Sequence, residues 1–89
     1  MPRADDEQPN LRLRATLLEV VDNQLRDNDP PETRTTLDRL VASGLPEAEA
    51  KLHIARAVLT EMNTMLRDRE HYSVERYVRN LDRLPGEVY

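Results

Sequence analysis

A helix start marked by two prolines, and a helix end marked by a glycine, constrain the fold of this chain most. Asp29 precedes Pro30 and Pro31, and Glu32 follows three residues after Asp29. A side-chain acceptor, prolines in the first turn and an acidic residue at the third position are typical of a helix start. Gly44 then stands where helices end in a left-handed residue. These signals predict one short helix with a clear boundary on either side.

The rest of the chain carries apolar residues at helical spacing, and no stretch alternates as a strand would. The pattern predicts an all-α fold, a small bundle of four helices with short connections, over about residues 10–27, 30–43, 46–69 and 74–84. Asn10 and Ser73 are the predicted N-caps of the first and last helices. Short connections favour antiparallel neighbours.

The expected domain organisation is simple, since 89 residues make one domain at most. Residues 1–9 are polar and contain two prolines, so we expect a disordered N-terminal lead-in there. Residues 10–85 form the single helical domain, and residues 86–89 form a loose tail.

The third helix has the most regular apolar pattern in the chain. Alternating steps of four and three residues connect six positions, which we call the α3 seam: Ala48, Leu52, Ala55, Leu59, Met62 and Leu66. A seam of this kind packs against other helices at a shallow angle. We expect it to pack within the domain, with a dimer interface as the alternative.

The composition favours association. The chain has no Phe, Trp or Cys and only three Tyr, so aromatic burial is scarce and disulfides cannot compensate. A short chain with such a core is commonly stabilised by oligomerisation. The sequence therefore predicts a non-enzymatic helical interaction module that self-associates as a homodimer or another homo-oligomer. A different protein partner is compatible with the same features.

Charge and motif content argue against several other classes. The net charge of −4, from 17 acidic and 13 basic residues, opposes general polyanion binding. Two glycines cannot build a Gly-rich phosphate loop, and no nucleophile lies in a known catalytic context. No apolar run is long enough for a membrane span, and no signal peptide is recognisable. We expect a cytoplasmic protein that is not an enzyme and has no cofactor or membrane association.

A metal site is the first alternative function. Glu49 and His53 lie one turn apart on the third helix, a spacing that two ligands of one metal ion use. A third ligand would have to come from another helix, and Asp22 is the candidate. The competing interpretation is a solvated polar helix face. The alternative is thus a degenerate metal-binding helical protein that uses Asp22, Glu49 and His53.

A stripe of arginines is the basis of the second alternative. Arg76, Arg79 and Arg83 share one face of the last helix, and Arg67 and Arg69 precede it. Such a patch could contact phosphates or an acidic partner, as in a nucleic-acid-associated regulator. Interleaved acidic residues, and the lack of aromatic residues for base stacking, argue instead for a charged solvent face.

Two segments resemble a known family. N-Q-L-R-D-N-D-P-P-E at 23–32 and T-L-D-R-L-V-A-S-G-L at 36–45, followed by a helix that contains E-A, resemble a family of small all-helical bacterial proteins of unknown function. The resemblance covers about Leu13 to Leu84. It rests on helix boundaries and apolar spacing, so it implies a fold more than a function.

Members of that family carry pairs of histidines one turn apart on the first and third helices, which would imply a metal site inside a bundle. In this chain Arg14 and Leu18 occupy the first-helix positions, and Asp22 stands at an acidic position of the pattern. On the third helix only His53 remains, with Glu49 one turn earlier. The resemblance therefore implies at most a reduced ligand set.

Overall fold

The computed structural model describes residues 4–88 and, from residue 11 onward, their side chains. Within that range the chain forms four α-helices and no strand. They are α1 (Ala4–Asp27), α2 (Pro31–Ala42), α3 (Glu47–Asp68) and α4 (Val74–Arg83). The predicted all-α bundle of four helices is confirmed.

The start of α1 differs from the prediction. The helix begins at Ala4, so Asn10 is not its N-cap. The lead-in predicted over residues 1–9 thus differs from the structure from Ala4 onward, and residues 1–3 lie outside the described residues. Ala, Glu and Gln between residues 4 and 8 have high helix propensity, which apolar spacing alone does not register.

The boundaries of α2 follow the predicted signals with one correction. Pro30 is the N-cap and no side chain caps the helix, because Asp29 lies one residue too early. The amide of Thr33 donates instead to the carbonyl oxygen of Pro30 at 3.1 Å. At the other end Gly44 has φ +110°, a conformation that favours glycine, so the predicted stop is confirmed.

The capping of α4 is as predicted. The Ser73 hydroxyl accepts a hydrogen bond from the amide of Arg76 at 3.2 Å. One free amide at the helix start is thereby satisfied. Upstream, α3 ends at Arg69, which adopts a left-handed conformation with φ 54°.

The core lies around α3, which packs against α1, α2 and α4, while α2 also packs against α1 and α4. All four helices contribute buried side chains. The large side chains that are almost fully buried include Val21, Leu37, Leu40, Ile54, Tyr77, Leu81 and Leu84. Tyr77 is the largest of these side chains, so one aromatic ring and a set of aliphatic groups fill the centre.

The packing face of α3 is not the predicted one. Its buried residues are Ala50, Ile54, Ala55, Ala57, Val58, Glu61 and Thr64. Of the α3 seam only Ala55 is buried, whereas Leu52, Met62 and Leu66 are 37%, 39% and 78% exposed. The expectation that this seam packs within the domain holds for Ala55 and for the half-buried Leu59, which packs against the core, and was wrong for the rest of the seam. The alanines on the opposite side let the neighbouring helices approach closely, so the larger seam residues are left at the surface.

The segment after α4 is in contact with α3. Arg56 donates through one guanidinium nitrogen to the carbonyl oxygens of Pro85 and Gly86, at 3.0 and 2.8 Å. Val88 packs against the core. The tail predicted as loose over residues 86–89 therefore makes contacts at residues 86 and 88, and residue 89 lies outside the described range. Among the described helices, none has the length and apolar character needed to cross a bilayer.

Candidate functional site

The predicted arginine stripe is divided by the fold. The Arg76 guanidinium turns inward, where Nε and Nη2 bind the Glu61 carboxylate at 2.8 and 2.6 Å. Its Nη1 reaches Glu70 at 2.7 Å. Arg79 is exposed, while Arg83 lies 3.5 Å from the Asn80 side-chain oxygen. Arg76 is thus engaged within the protein, and only part of the stripe faces solvent.

Glu61 is a buried carboxylate that sequence reasoning did not identify. Its side chain is 3% exposed and accepts three hydrogen bonds, two from Arg76 and one from the Ser73 amide at 3.0 Å. Burial acts to raise the pKa of Glu61, but the bonds from Arg76 and Ser73 outweigh it and lower that pKa below its usual range. Glu61 therefore stays ionised and fixes the start of α4 against α3.

The predicted metal ligands are not assembled. Asp22 pairs with Lys51 at 2.9 Å, whereas Glu49 and His53 line a shallow depression together with Arg56. The His53 ring nitrogen Nδ1 lies 3.1 Å from a guanidinium nitrogen of Arg56. Within the described residues, no three His, Asp or Glu side chains are placed to hold one metal ion. Glu49 and His53 therefore lie together, and Asp22 does not join them.

A polar cluster joins three helices through one oxygen atom. The Gln24 side-chain oxygen accepts hydrogen bonds from the Thr33 hydroxyl at 2.7 Å and from the Tyr77 hydroxyl at 2.8 Å. Thr33 and Tyr77 are 0% and 1% exposed. Burial, the largest influence, raises the pKa of Tyr77 to about 12, so its hydroxyl keeps its proton at neutral pH. Gln24 thereby fixes α1 to both α2 and α4.

Beside this cluster lies a cavity of about 210 Å³. Its apolar lining comes from Val20 on α1 and from Val58, Met62 and Met65 on α3. Tyr72 lines it too, and the side chains of Gln24, Glu61 and Tyr77 supply its polar groups. The cavity is the place where apolar walls meet buried polar groups with defined partners.

A second feature is an open groove of about 330 Å³ between α1 and α3. Leu13 and Leu17 line it from α1, and the α3 seam supplies Leu52, Ala55 and Leu59. Leu13 is 39% exposed. Arg14 and Arg56 line the groove as well. The groove and the exposed seam residues together form a largely apolar surface along α3.

The last α4 turn is fixed by a residue whose role the sequence did not indicate. Arg39 of α2 donates to the carbonyl oxygens of Leu84 at 2.7 Å and Leu81 at 2.9 Å. The Leu81 carbonyl also accepts from the amide of Leu84 at 3.1 Å, and a cation is favourable at the C-terminal end of a helix. Arg39 thus caps α4 from a neighbouring helix.

Sequence reasoning missed Glu61, Gln24 and Arg39 for the same reason: each acts through a partner far away in the chain. One local signal pointed to Glu61, because Ala57, Val58 and Glu61 follow the helical spacing of a buried face. A carboxylate at such a position requires a cation or several donors. No protein-family model, curated protein or solved structure matches this chain, so the resemblance to a helical family stays a prediction.

Proposed function

We propose that this protein is a non-enzymatic helical module that associates with a second copy of itself through the α3 seam, in the cytoplasm. The observation that carries the proposal is the exposure of Leu52, Met62 and Leu66, at 37%, 39% and 78%. A regular four-three apolar pattern is the pattern by which helices pair. On the surface of this protein, the α3 seam has no helix among the described residues to pair with.

An antiparallel pair of α3 helices fits this surface best. Placing Leu59 at a two-fold axis sets Leu52 of one copy opposite Leu66 of the other. Leu66 of the second copy would then enter the groove that Leu13 and Leu52 line. The apolar residues of each copy thereby contact the α3 seam and the groove of the other copy.

The charges at the two ends of α3 favour the same orientation. Glu47 and Glu49 lie in its first turn, and Arg67 lies in its last, where it pairs with the neighbouring Asp68 at 3.0 Å. An antiparallel pair places the acidic end of each helix beside Arg67 of the other. A parallel pair would place the two acidic ends together, so these charges favour a second copy in the antiparallel orientation.

The size of the surface sets a further condition. An interface of standard size covers about 800 Å² on each partner. The α3 seam is a single stripe along a helix of 22 residues, which is roughly 33 Å long. The seam alone covers less area than a standard interface, so exposed apolar residues of α1, such as Leu13, have to take part.

The test is the mass of the full chain by sedimentation equilibrium over a wide concentration range. We expect two-chain particles, and a melting temperature that rises with protein concentration. Leu66→Glu places a charge in the interface and should raise the dissociation constant at least about tenfold. Val41→Glu is the matched control, because Val41 is 43% exposed on α2, away from the seam. A single-chain mass at every concentration overturns the proposal.

The antiparallel orientation has its own test. Glu49→Arg and Arg67→Glu should each weaken association, because each places like charges at both ends of the interface. The double variant restores opposite charges and should recover most of the affinity. If the double variant is weaker than either single variant, the orientation is wrong even where association itself holds.

A further inference from the structure

The cavity beside the polar cluster has the size of a small-ligand site. Its volume is about 210 Å³. An engineered apolar cavity of roughly 150 Å³ binds benzene. A molecule with one six-membered ring and an additional atom or two therefore fits. The walls from Met62 and Met65 are adaptable, because methionine side chains are flexible and fill irregular space.

Gln24 and Tyr72 both line the cavity, and the polar group that the fold holds in place for a ligand is the carboxamide nitrogen of Gln24. The oxygen of this amide already accepts from Thr33 and Tyr77, at 2.7 and 2.8 Å. Those two bonds hold the amide in one orientation, and its nitrogen donates to no side chain or carbonyl of the described residues. A pre-oriented donor in an apolar cavity selects a ligand that carries a hydrogen-bond acceptor.

Glu61 is not available to bind a ligand. Both of its oxygens are engaged, by Arg76 and by the Ser73 amide, and its charge is balanced by the guanidinium. A cationic ligand would have to displace Arg76 from a bidentate ion pair, so the cavity does not favour cations. The ligand class that remains is neutral and largely apolar.

We propose that the cavity between α1, α3 and α4 binds a small, neutral, apolar molecule through a carbonyl oxygen that accepts from the Gln24 carboxamide nitrogen. The apolar part of the ligand lies against Val20, Val58, Met62 and Met65. Met62 belongs both to the cavity wall and to the α3 seam, so this site adjoins the proposed self-association surface, but every residue of the site comes from one copy and a second copy is not required.

Cyclohexanone and toluene make a matched pair of probes, because each has a six-membered ring and one exocyclic heavy atom, but only cyclohexanone has a carbonyl. Each is titrated into the full ¹⁵N-labelled chain while amide chemical shifts are followed. We expect saturable shifts around Gln24, Val58 and Met62. Toluene is the more hydrophobic probe, so the hydrogen bond is measured from the change in the dissociation constant of each probe when Gln24 is replaced.

Two variants separate the cavity from the rest of the surface. Val20→Phe narrows the cavity and should weaken binding of both probes. Gln24→Met keeps the approximate size of the side chain, removes the donor, and should weaken cyclohexanone about fivefold while leaving toluene unchanged. Where Gln24→Met fails to fold, Val20→Phe alone tests the location. Leu66→Glu, which is expected to separate the two copies, should bind cyclohexanone as the unchanged chain does.

Three results overturn the proposal. The first is the absence of saturable shifts from cyclohexanone up to about 20 mM. The second is a loss of affinity on Gln24→Met that is as large for toluene as for cyclohexanone. The third is binding of both probes that Val20→Phe leaves unchanged. None of them bears on the mass measurements that test self-association.

Discussion

At the scale of single residues, the pair of Glu61 and Arg76 is the most consequential contact in this protein. The two side chains are 3% and 19% exposed, and two hydrogen bonds join them. Removing one member of such a pair leaves an uncompensated charge away from water. Replacing both by apolar residues avoids that penalty, so the two kinds of substitution have very different effects.

We expect Arg76→Met to lower the free energy of unfolding clearly more than Arg79→Met does, as measured by urea denaturation. The double variant Glu61→Met with Arg76→Met should recover a large part of that loss. Arg79→Met is the control, because Arg79 is exposed on the same helix, and its effect should stay within about 0.5 kcal/mol. Equal losses for the Arg76 and Arg79 variants would contradict this account of the ion pair.

Tyr77 gives the protein a pH dependence on the alkaline side. Burial raises its pKa from 10.0 to about 12. A raised pKa means that its stabilising contribution is complete below pH 10 and is lost as the pH rises towards 12. The free energy of unfolding should therefore fall by about 2 kcal/mol over that interval on account of this residue.

Tyr77→Phe should remove most of that alkaline loss, at a cost of about 1 kcal/mol at neutral pH for the bond to Gln24. Urea unfolding at a series of pH values measures both effects. Tyr72→Phe is the control, since Tyr72 is 49% exposed and should leave most of the alkaline loss in place. An unchanged alkaline profile in the Tyr77 variant would show that another group is responsible.

At the scale of helices, Gly44 ends α2 by its backbone alone. Its φ is +110°, and no atom lies within 4 Å of the position that a Cβ would take. Gly44→Ala should thus cost about 1 kcal/mol through backbone strain, without any steric clash. Thermal denaturation measures the loss. Gly44→Asn should cost less, because Asn tolerates a left-handed backbone better than Ala does. A neutral Gly44→Ala would mean that the turn relaxes.

The helices were the part of the fold that could be predicted. Prolines, Ser73 and Gly44 act on the backbone next to them, so their signals are local and the boundaries of α2 and α4 follow. The packing face of α3 could not be predicted in the same way. One side carries leucines and methionines and the other carries alanines with Ile54, and spacing alone does not rank two apolar faces.

At the scale of the whole molecule, the contacts between residues of different helices could not be predicted. Glu49 and His53 were expected together because they lie one turn apart, and the depression they share agrees with that. Asp22 was assigned to them without any such local constraint, and it pairs with Lys51 instead. The predicted arginine stripe was wrong at Arg76 for the same reason, because Glu61, the buried partner of Arg76, lies on another helix.

The way α4 is held has a consequence for how this protein opens. With ten residues, α4 is shorter than the helices of about 12–15 residues that are marginally stable alone. Arg76 and Tyr77 join it to α3 and α1, and Arg39 joins its last turn to α2. Detaching α4 would break all of these contacts at once and expose the buried Tyr77 and Leu81 to water, so we expect α4 to open together with the rest of the core.

Hydrogen exchange should report this directly. We expect the amides of Tyr77 and Leu81 to exchange only through global unfolding, with the dependence on urea that complete unfolding shows. The amides of α1 between residues 13 and 16, whose side chains are all exposed, should exchange through small local openings. The shortest helix would then belong to the most slowly exchanging part of the chain, and residues 13–16 of the longest helix would exchange faster.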